Sequence, residues 1–445
     1  MDFTRGRAAN LLQVRIDLPW LFAFTAFVLL IASVVLKTAG IGAFILLTGA
    51  YSFRIRRNLT SVLLPALPFV LLPALALFST LWSENPGPTL RSAIQYFVTF
   101  YFAVLIARAV PSNKVITALF FALLLICILC LADARTALSH HRALSGIFES
   151  KNSMAFTASA LMLVAFGLLI DSARSLKLRV ICLGCIPFAF LLLVASQSAG
   201  AVVSTTLSAA VMFAAAMLGR CPPALRLAAA VLVLACVPAV VVATPIAEKA
   251  WTDFATQTLH KDIVTMTGRT TMWTRGDQLA HEKPMLGHGY QAFWIQGNLD
   301  AEALWEELDI PSRNGFNFHN QFKELRVDLG WVGVVVFFGV LITGLVGLVV
   351  RPFLSPSHTL NVMFGLLISL TLRLPVESLL FYQFSILSVL FITLCTVGLA
   401  GEVGRPKTLR LRQRRVPGYK RSETLRRYAG VRAPAGATRS LPAAE

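Results

Sequence analysis

The groups able to do chemistry gather in one polar stretch of this 445-residue chain, 245–330. It carries Gly268-Arg-Thr-Thr-Met-Trp273, Pro284-Met-Leu-Gly-His-Gly-Tyr290 and Phe318-His-Asn-Gln-Phe-Lys-Glu324. A lone histidine such as His319 suits proton transfer, because its ordinary pKa lies near neutrality. Asn317 is placed to cap a helix running through His319 toward Trp331. On that helix His319, Lys323 and Arg326 share one face at i, i+4 and i+7, with Asn320 and Glu324 as an adjacent pair. Phe322, Leu325 and Leu329 cover the other side. The polar face suits a lipid headgroup or a sugar. The same spacing also describes a solvated amphipathic helix whose histidine has no role.

Arg269 follows Gly268 and precedes helical spacing from Thr270 to Lys283, with Met272, Trp273 and Leu279 on one face. Free backbone N–H groups and a guanidinium would there face one anion together. The alternative is a salt bridge to Asp277 or Asp253. Pro284 ends the helix, and Gly287-His-Gly289 forces a turn that would pack Phe293 and Trp294 against the membrane surface. A helix carrying Trp251 and Phe254, a short helix over Ala301 to Asp309 ended by Pro311, and a turn at Asn314-Gly315 complete the stretch. Short loops add further polar groups: Trp82-Ser-Glu-Asn-Pro86 leading to Arg91, Gly146-Ile-Phe-Glu-Ser-Lys-Asn152, and Ser196-Gln-Ser-Ala-Gly200. Arg373 and Glu377 flank Pro375. Ionisable groups at membrane depth are costly and mark function, although Arg373 can also snorkel outward.

Metal chemistry has no support in the spacing of histidines, so neither a metal nor another cofactor is expected. The Cys-x-x-Cys pairs Cys127/Cys130 and Cys182/Cys185 lie inside apolar spans, where cysteine acts as a small hydrophobe.

The elements that must position these groups are membrane helices. The chain is 56% hydrophobic and 14% charged, outside the range of a soluble domain. Its apolar runs predict about twelve spans: 19–36, 39–53, 61–82, 92–107, 115–132, 153–170, 180–196, 200–218, 227–244, 331–350, 359–374 and 379–400. Pro65, Pro68 and Pro73 interrupt the third. The expected fold class is therefore an all-α polytopic membrane protein with one large outward loop containing short helices. It divides into an N-terminal bundle of about nine spans (1–244), the large loop (245–330), about three C-terminal spans (331–400) and a basic tail (401–445).

Lys and Arg concentrate in one set of short loops, including Arg54, Arg56, Arg57, Arg174, Lys177, Arg179, Arg220 and Arg226. That bias predicts cytoplasmic termini and an outward-facing 245–330. The net charge of +18 does not signal nucleic-acid binding. Much of it sits in the tail, in runs such as Arg410-Leu-Arg-Gln-Arg-Arg415, and suits anionic lipid on the inner leaflet. The large loop is net acidic.

The order of Leu81-Trp-Ser-Glu-Asn-Pro86, Gly146-Ile-Phe-Glu-Ser-Lys-Asn152, Gly268-Arg-Thr-Thr-Met-Trp273, Pro284-Met-Leu-Gly-His-Gly-Tyr290 and His319-Asn-Gln-Phe-Lys-Glu324 resembles the O-antigen ligase and Wzy-type polymerase superfamily. It is most similar to the ExoQ-like exopolysaccharide production branch. The resemblance implies a GT-C-like, metal-independent glycosyltransferase in the bacterial inner membrane. Such proteins pass a glycan from undecaprenyl pyrophosphate to an acceptor hydroxyl on the periplasmic side. It makes His319 the general base and Arg269 an arginine facing the pyrophosphate. Arg91, Lys151 and Asn152 become candidates for the anionic headgroup, while Asn320, Lys323, Glu324 and Arg373 complete the expected substrate-binding set.

The implied partners are an undecaprenyl-pyrophosphate-linked glycan, an acceptor glycan and membrane lipid, with chain-length regulator and export proteins as further candidates and no nucleic acid. One departure stands out. Many members carry Arg or Lys in the turn where this chain has Ala199, leaving Arg373 or Arg91 to substitute for that cation. The resemblance favours a polymerase of lipid-linked repeat units. A ligase acting on lipid A core or another acceptor is the alternative, and a lipid-linked glycan transporter or flippase the second. Against transport, the ionisable groups cluster at the outer face, whereas a transporter would place them near the midplane.

Overall fold

The computed structural model describes residues 17–139, 142–148, 150–242, 263–310, 313, 316–354 and 356–403. The chain divides into two units, Met1–Gly404 and Arg405–Glu445. The second, holding most of the basic tail, lies outside the described residues. So do His140, His141, Trp251, Asp253, Phe254, His260, Pro311 and Asn314-Gly315.

All regular structure among the described residues is helical. Apolar runs of this length form helices in a membrane because only a helix satisfies its backbone internally. Eight segments are long and apolar enough to cross: α1 (Leu18–Arg54), a broken segment over Arg56–Leu81, α4 (Pro86–Ala109), α5 (Ser112–Ser139), α6 (Lys151–Ile170), α7 (Leu176–Ala195), α8 (Ala199–Leu218) and α12 (Gln321–Leu354). The molecule is an all-α polytopic membrane protein. The broken segment contains α2 (Leu59–Leu63) and α3 (Leu71–Phe78) joined by tighter 3-10 turns where the prolines fall. Within α1 the backbone breaks at Lys37 (φ 49°), between the predicted runs 19–36 and 39–53.

The remaining helices are α9 (Pro223–Val242), α10 (Ile263–Glu282), α11 (Leu299–Glu307), α13 (His358–Thr371) and α14 (Ile386–Ala400). Here the structure departs from the expected 379–400 span. Residues 379–385 are not helical, because their backbone N–H groups are taken by side chains. Leu379 and Leu380 donate to Gln321 Oε1 (both 2.9 Å), and Tyr382 donates to Ser388 Oγ (3.0 Å).

Small residues set the packing. α6 lies against α5, α7, α8 and α13, and its Ala155, Ala158, Ser159, Ala160 and Ala165 are buried. Where α12 meets α14, Gly347 and Gly398 bring the two backbones into contact, the close approach that drives helix association in lipid.

The large loop carries a core of its own, built from Met272, Trp273, Leu279, Phe293, Trp305 and Phe318. Phe293 and Trp294 pack on Phe318 at 5.3 and 4.9 Å between ring centroids, rather than on the membrane surface as expected. A backbone interlock ties this core to the bundle. α12 breaks at Gly330 (φ 63°), and the segment Pro284–Gly289 occupies the gap. His288 and Gly289 donate to the carbonyls of Val327 (2.8 Å) and Asp328 (2.9 Å), while Trp331 and Val332 donate to those of Pro284 (2.9 Å) and Met285 (3.2 Å). The bonds lost at the break are thereby replaced across the interlock, as buried backbone requires.

Gly287 sits at φ +65°, where an added Cβ would lie 2.5 Å from the Asp328 carbonyl carbon. Gly287→Ala is expected to cost at least about 1–3 kcal/mol, the scale of backbone strain at such positions. Thermal melting of the purified protein should fall clearly in this variant. It should not fall in Gly339→Ala, where a Cβ meets nothing within 4 Å.

Candidate active site

His319 does not lie on the expected helix. α12 starts at Gln321, and Asn320 caps it, its Oδ1 accepting from the N–H groups of Phe322 (3.0 Å) and Lys323 (3.1 Å). The loop 372–385 displaces any earlier start. Gln321 donates its N–H to Leu374 O (2.9 Å), Asn320 donates its own to Ser378 Oγ (3.1 Å), and Asn320 Nδ2 donates to Pro375 O (3.0 Å). His319 is left just before the helix in the left-handed region, φ 49°, with its N–H on Asn317 Oδ1 (2.8 Å). A histidine held there stores about 1–3 kcal/mol of strain, a cost that tends to appear at functional positions.

The strain aims the ring at Glu377. His319 Nδ1 lies 3.1 Å from Glu377 Oε2, and on the other carboxylate oxygen Asn152 Nδ2 donates at 2.6 Å. The Arg269 guanidinium stands 3.5 Å from Glu377 Oε1 and donates to Val376 O at 3.4 Å. Ser198, just before α8, donates to Asn152 Oδ1 (3.2 Å). Asn152 itself sits in the first turn of α6, whose cap Ser150 accepts its N–H (3.2 Å). Three distant parts of the chain thus converge on one carboxylate, and a fourth, at Ser198, braces one of them.

Burial pushes the Glu377 carboxyl up, but the hydrogen bond and charge of His319, followed by the charges of Arg269 and Arg373, outweigh it and hold the group below its ordinary value. The His319 ring remains about a quarter exposed.

Arg373 does not snorkel. It is 5% exposed and turns inward, donating from Nε to Ser204 Oγ (2.9 Å) and from a terminal nitrogen to Ser159 Oγ (2.7 Å). It lies over the Phe156 ring (5.5 Å), and its positive charge helps hold the Glu377 carboxyl below its ordinary value.

Several expected substrate contacts have other occupations. Lys323 donates to Asp277 (2.9 Å) and lies over Trp273, joining α12 to α10. Arg326 packs on Trp331 (5.0 Å), so it does not share a face with His319. Asn320 and Glu324 are buried, Glu324 accepting from the Phe318 N–H (2.8 Å). Arg91, in the second turn of α4, and Lys151, at the start of α6, are exposed, and no contact joins either to the Glu377 cluster among the described residues. Arg269 lies inside α10, not at a helix N-terminus. A single interior glycine, Gly268, costs about 1 kcal/mol, too little to start the helix afresh after it. His288 is a buried brace between Glu84 (2.9 Å) and Leu279 O (3.0 Å).

Glu377, Ser198, Ser159 and Ser204 escaped the sequence-derived site. The signal for Glu377 was present: an acid four residues after Arg373 at a span end.

Fold and site together define a multi-pass membrane protein with a histidine–carboxylate–arginine cluster at one mouth of its bundle. Residues 183–338 match the family model Wzy_C, described as O-antigen ligase. This segment includes Arg269 and His319 but neither Asn152 nor Glu377. The chain is also 32% identical over 286 residues to the exopolysaccharide production protein ExoQ of Rhizobium meliloti (strain 1021), an alignment covering 61% of this chain and 62% of that protein. The alignment therefore spans less than two thirds of the relative. Both comparisons agree with the likeness read from the sequence: the chain is O-antigen-ligase-like and ExoQ-like.

A carboxylate with a lowered pKa contributes stability above the ordinary carboxylate range and loses it as pH falls through the folded value. Glu377→Gln should therefore lower the melting temperature at pH 7. The gap to wild type should close as pH drops below about 4, the ordinary carboxylate pKa. A gap that stays the same size well below that pH would show that the charge of Glu377 is not what holds the cluster.

Proposed function

We propose that this chain is a membrane glycosyltransferase that polymerises undecaprenyl-pyrophosphate-linked oligosaccharide repeat units into exopolysaccharide on the periplasmic face of the bacterial inner membrane. The observation that carries the reading is the His319–Glu377 pair with Arg269 beside it. With its Nδ1–H donated to Glu377, His319 keeps a lone pair on Nε2. That nitrogen accepts the proton of the acceptor sugar hydroxyl as its oxygen attacks the anomeric carbon of the donor. The bond from that carbon to the pyrophosphate oxygen breaks, and its electron pair leaves with the pyrophosphate.

Glu377 fixes the ring and stabilises the imidazolium that forms, the role of a buried carboxylate behind a catalytic histidine. Arg269 faces the leaving group with a planar fork suited to phosphate oxygens. Because a lipid pyrophosphate is already a good leaving group, alignment and charge stabilisation supply most of the needed rate. The charge-stabilising groups in this reading are arginines, without a metal ion.

The alternative acceptor chemistry is also supported by a specific observation. The matching family model is described as O-antigen ligase, whereas the relative is an exopolysaccharide production protein. A ligase would use the same groups to move finished glycan to a different acceptor.

Membranes supplied with lipid-linked repeat units and no other acceptor separate these readings. Wild type is expected to give a ladder of lengthening products. His319→Ala should lose at least about 100-fold in rate, the usual scale of general-base catalysis, with normal amounts in the membrane. Arg269→Lys should also fail, since a point charge does not reproduce the fork. Hydrolysis or no product from wild type would favour the ligase. A ladder of wild-type intensity from His319→Ala would overturn the assignment of His319 as the general base.

A further inference from the structure

A second site lies at the end of the bundle opposite His319. The N-terminal end of α8 and the C-terminal end of α13 lead to Ser198 and Glu377 respectively. Their other ends, at Leu218 and His358, frame a cavity of about 210 Å³. Its walls are largely apolar, with Ala215, Leu348, Val349 and Phe364, while Arg220, Arg226 and His358 add cationic or titratable groups. The short-loop bias places this end on the cytoplasmic side.

Asn361 adds a second indication. Its Nδ2 donates to Met212 O at 2.9 Å, which fixes the amide orientation. Its Oδ1 is then a buried acceptor without a partner, on a side chain only 6% exposed that lines the same cavity. Leaving such an acceptor unsatisfied costs about 1–3 kcal/mol, which a bound hydroxyl or ammonium donor would recover. The nearby acid, Glu402, accepts from Ser357 Oγ (2.9 Å), and Arg351 donates to the carbonyl of Gly398 (2.7 Å). Arg220 donates only to a thioether, Met217 Sδ at 3.6 Å, among the contacts described, and is otherwise exposed.

We propose that this cavity binds one acidic glycerophospholipid of the phosphatidylglycerol kind from the adjacent leaflet. Arg220 and Arg226 face the phosphate, a headgroup hydroxyl satisfies Asn361, and an acyl chain lies on Leu348, Val349 and Phe364. An amphipathic occupant suits an apolar chamber with cations, and basic pockets between membrane helices on the cytoplasmic side favour anionic headgroups. A free phosphate would leave the apolar wall uncovered. The site is independent of the glycosyl-transfer reading, because no residue of the Glu377 cluster lines it.

The test is native mass spectrometry of the purified full-length protein with added phosphatidylglycerol, phosphatidylethanolamine, phosphatidylcholine or inorganic phosphate. One phosphatidylglycerol should be retained in preference to the others. Retention should fall about five-fold for each arginine in Arg220→Ala and Arg226→Ala, the scale of one cation at an anionic lipid surface. Arg220→Lys should retain most of it, and an unchanged melting temperature in lipid-free detergent confirms folding. Equal retention of all lipids overturns the proposal, as does unchanged retention in the alanine variants or displacement by inorganic phosphate. Should an alanine variant fail to fold, Asn361→Asp serves in its place. Retention should fall there because a carboxylate would face the lipid phosphate, and undiminished binding would count against the proposal.

Discussion

The site depends on one carboxylate being charged in a place where charge is costly. Glu377 is largely enclosed at a membrane mouth, where removing an ion from water costs several kcal/mol unless partners replace the lost hydration. His319, Asn152 and Arg269 are those partners, and Arg373 adds a fixed positive charge nearby. They come from the start of α12, the start of α6, the interior of α10 and the loop after α13. None of these elements can shift far without leaving the carboxylate short of a partner. The same carboxylate orients the histidine, so the demand for compensation and the demand for preorganisation are met by one set of contacts.

Two supports hold that set in place. The first is the interlock at Gly287 and Gly330, which fastens the large loop to α12 through main-chain bonds and requires backbone angles that glycine alone adopts freely. The second is the aromatic core of the loop. Trp273 Nε1 donates to Phe318 O at 2.8 Å, and Phe318 immediately precedes His319. Through this chain of contacts, α10 carries Arg269 and steadies His319 at once. Lys323, read from spacing as a ligand contact, is part of this frame through Asp277.

The large features were legible because they follow from periodicity and composition. Apolar run length gave the membrane helices, and the residues Met272, Trp273 and Leu279 on one face of α10 are buried as their spacing implies. What was not legible depends on contacts between distant segments. The start of α12 moved past His319 because the loop 372–385 claims the Gln321 N–H, a bond invisible to local spacing. Glu377 stands in the sequence as an acid at a span end, and no local spacing pairs it with His319, 58 positions earlier. The inward turn of Arg373 depends on hydroxyls at Ser159 and Ser204, two serines that look like ordinary small residues of membrane helices. Of the two cations considered as substitutes at Ala199, Arg91 is exposed and Arg373 is buried.

The central claim is that Glu377 acts through His319. A double-mutant cycle in the chain-growth assay measures this directly, using His319→Ala, Glu377→Gln and the two combined. If the carboxylate works by orienting and stabilising the histidine, Glu377→Gln slows the wild type strongly and adds little once His319 is gone, because residues that act as a unit are non-additive. Losses that simply multiply in the double variant would contradict the account.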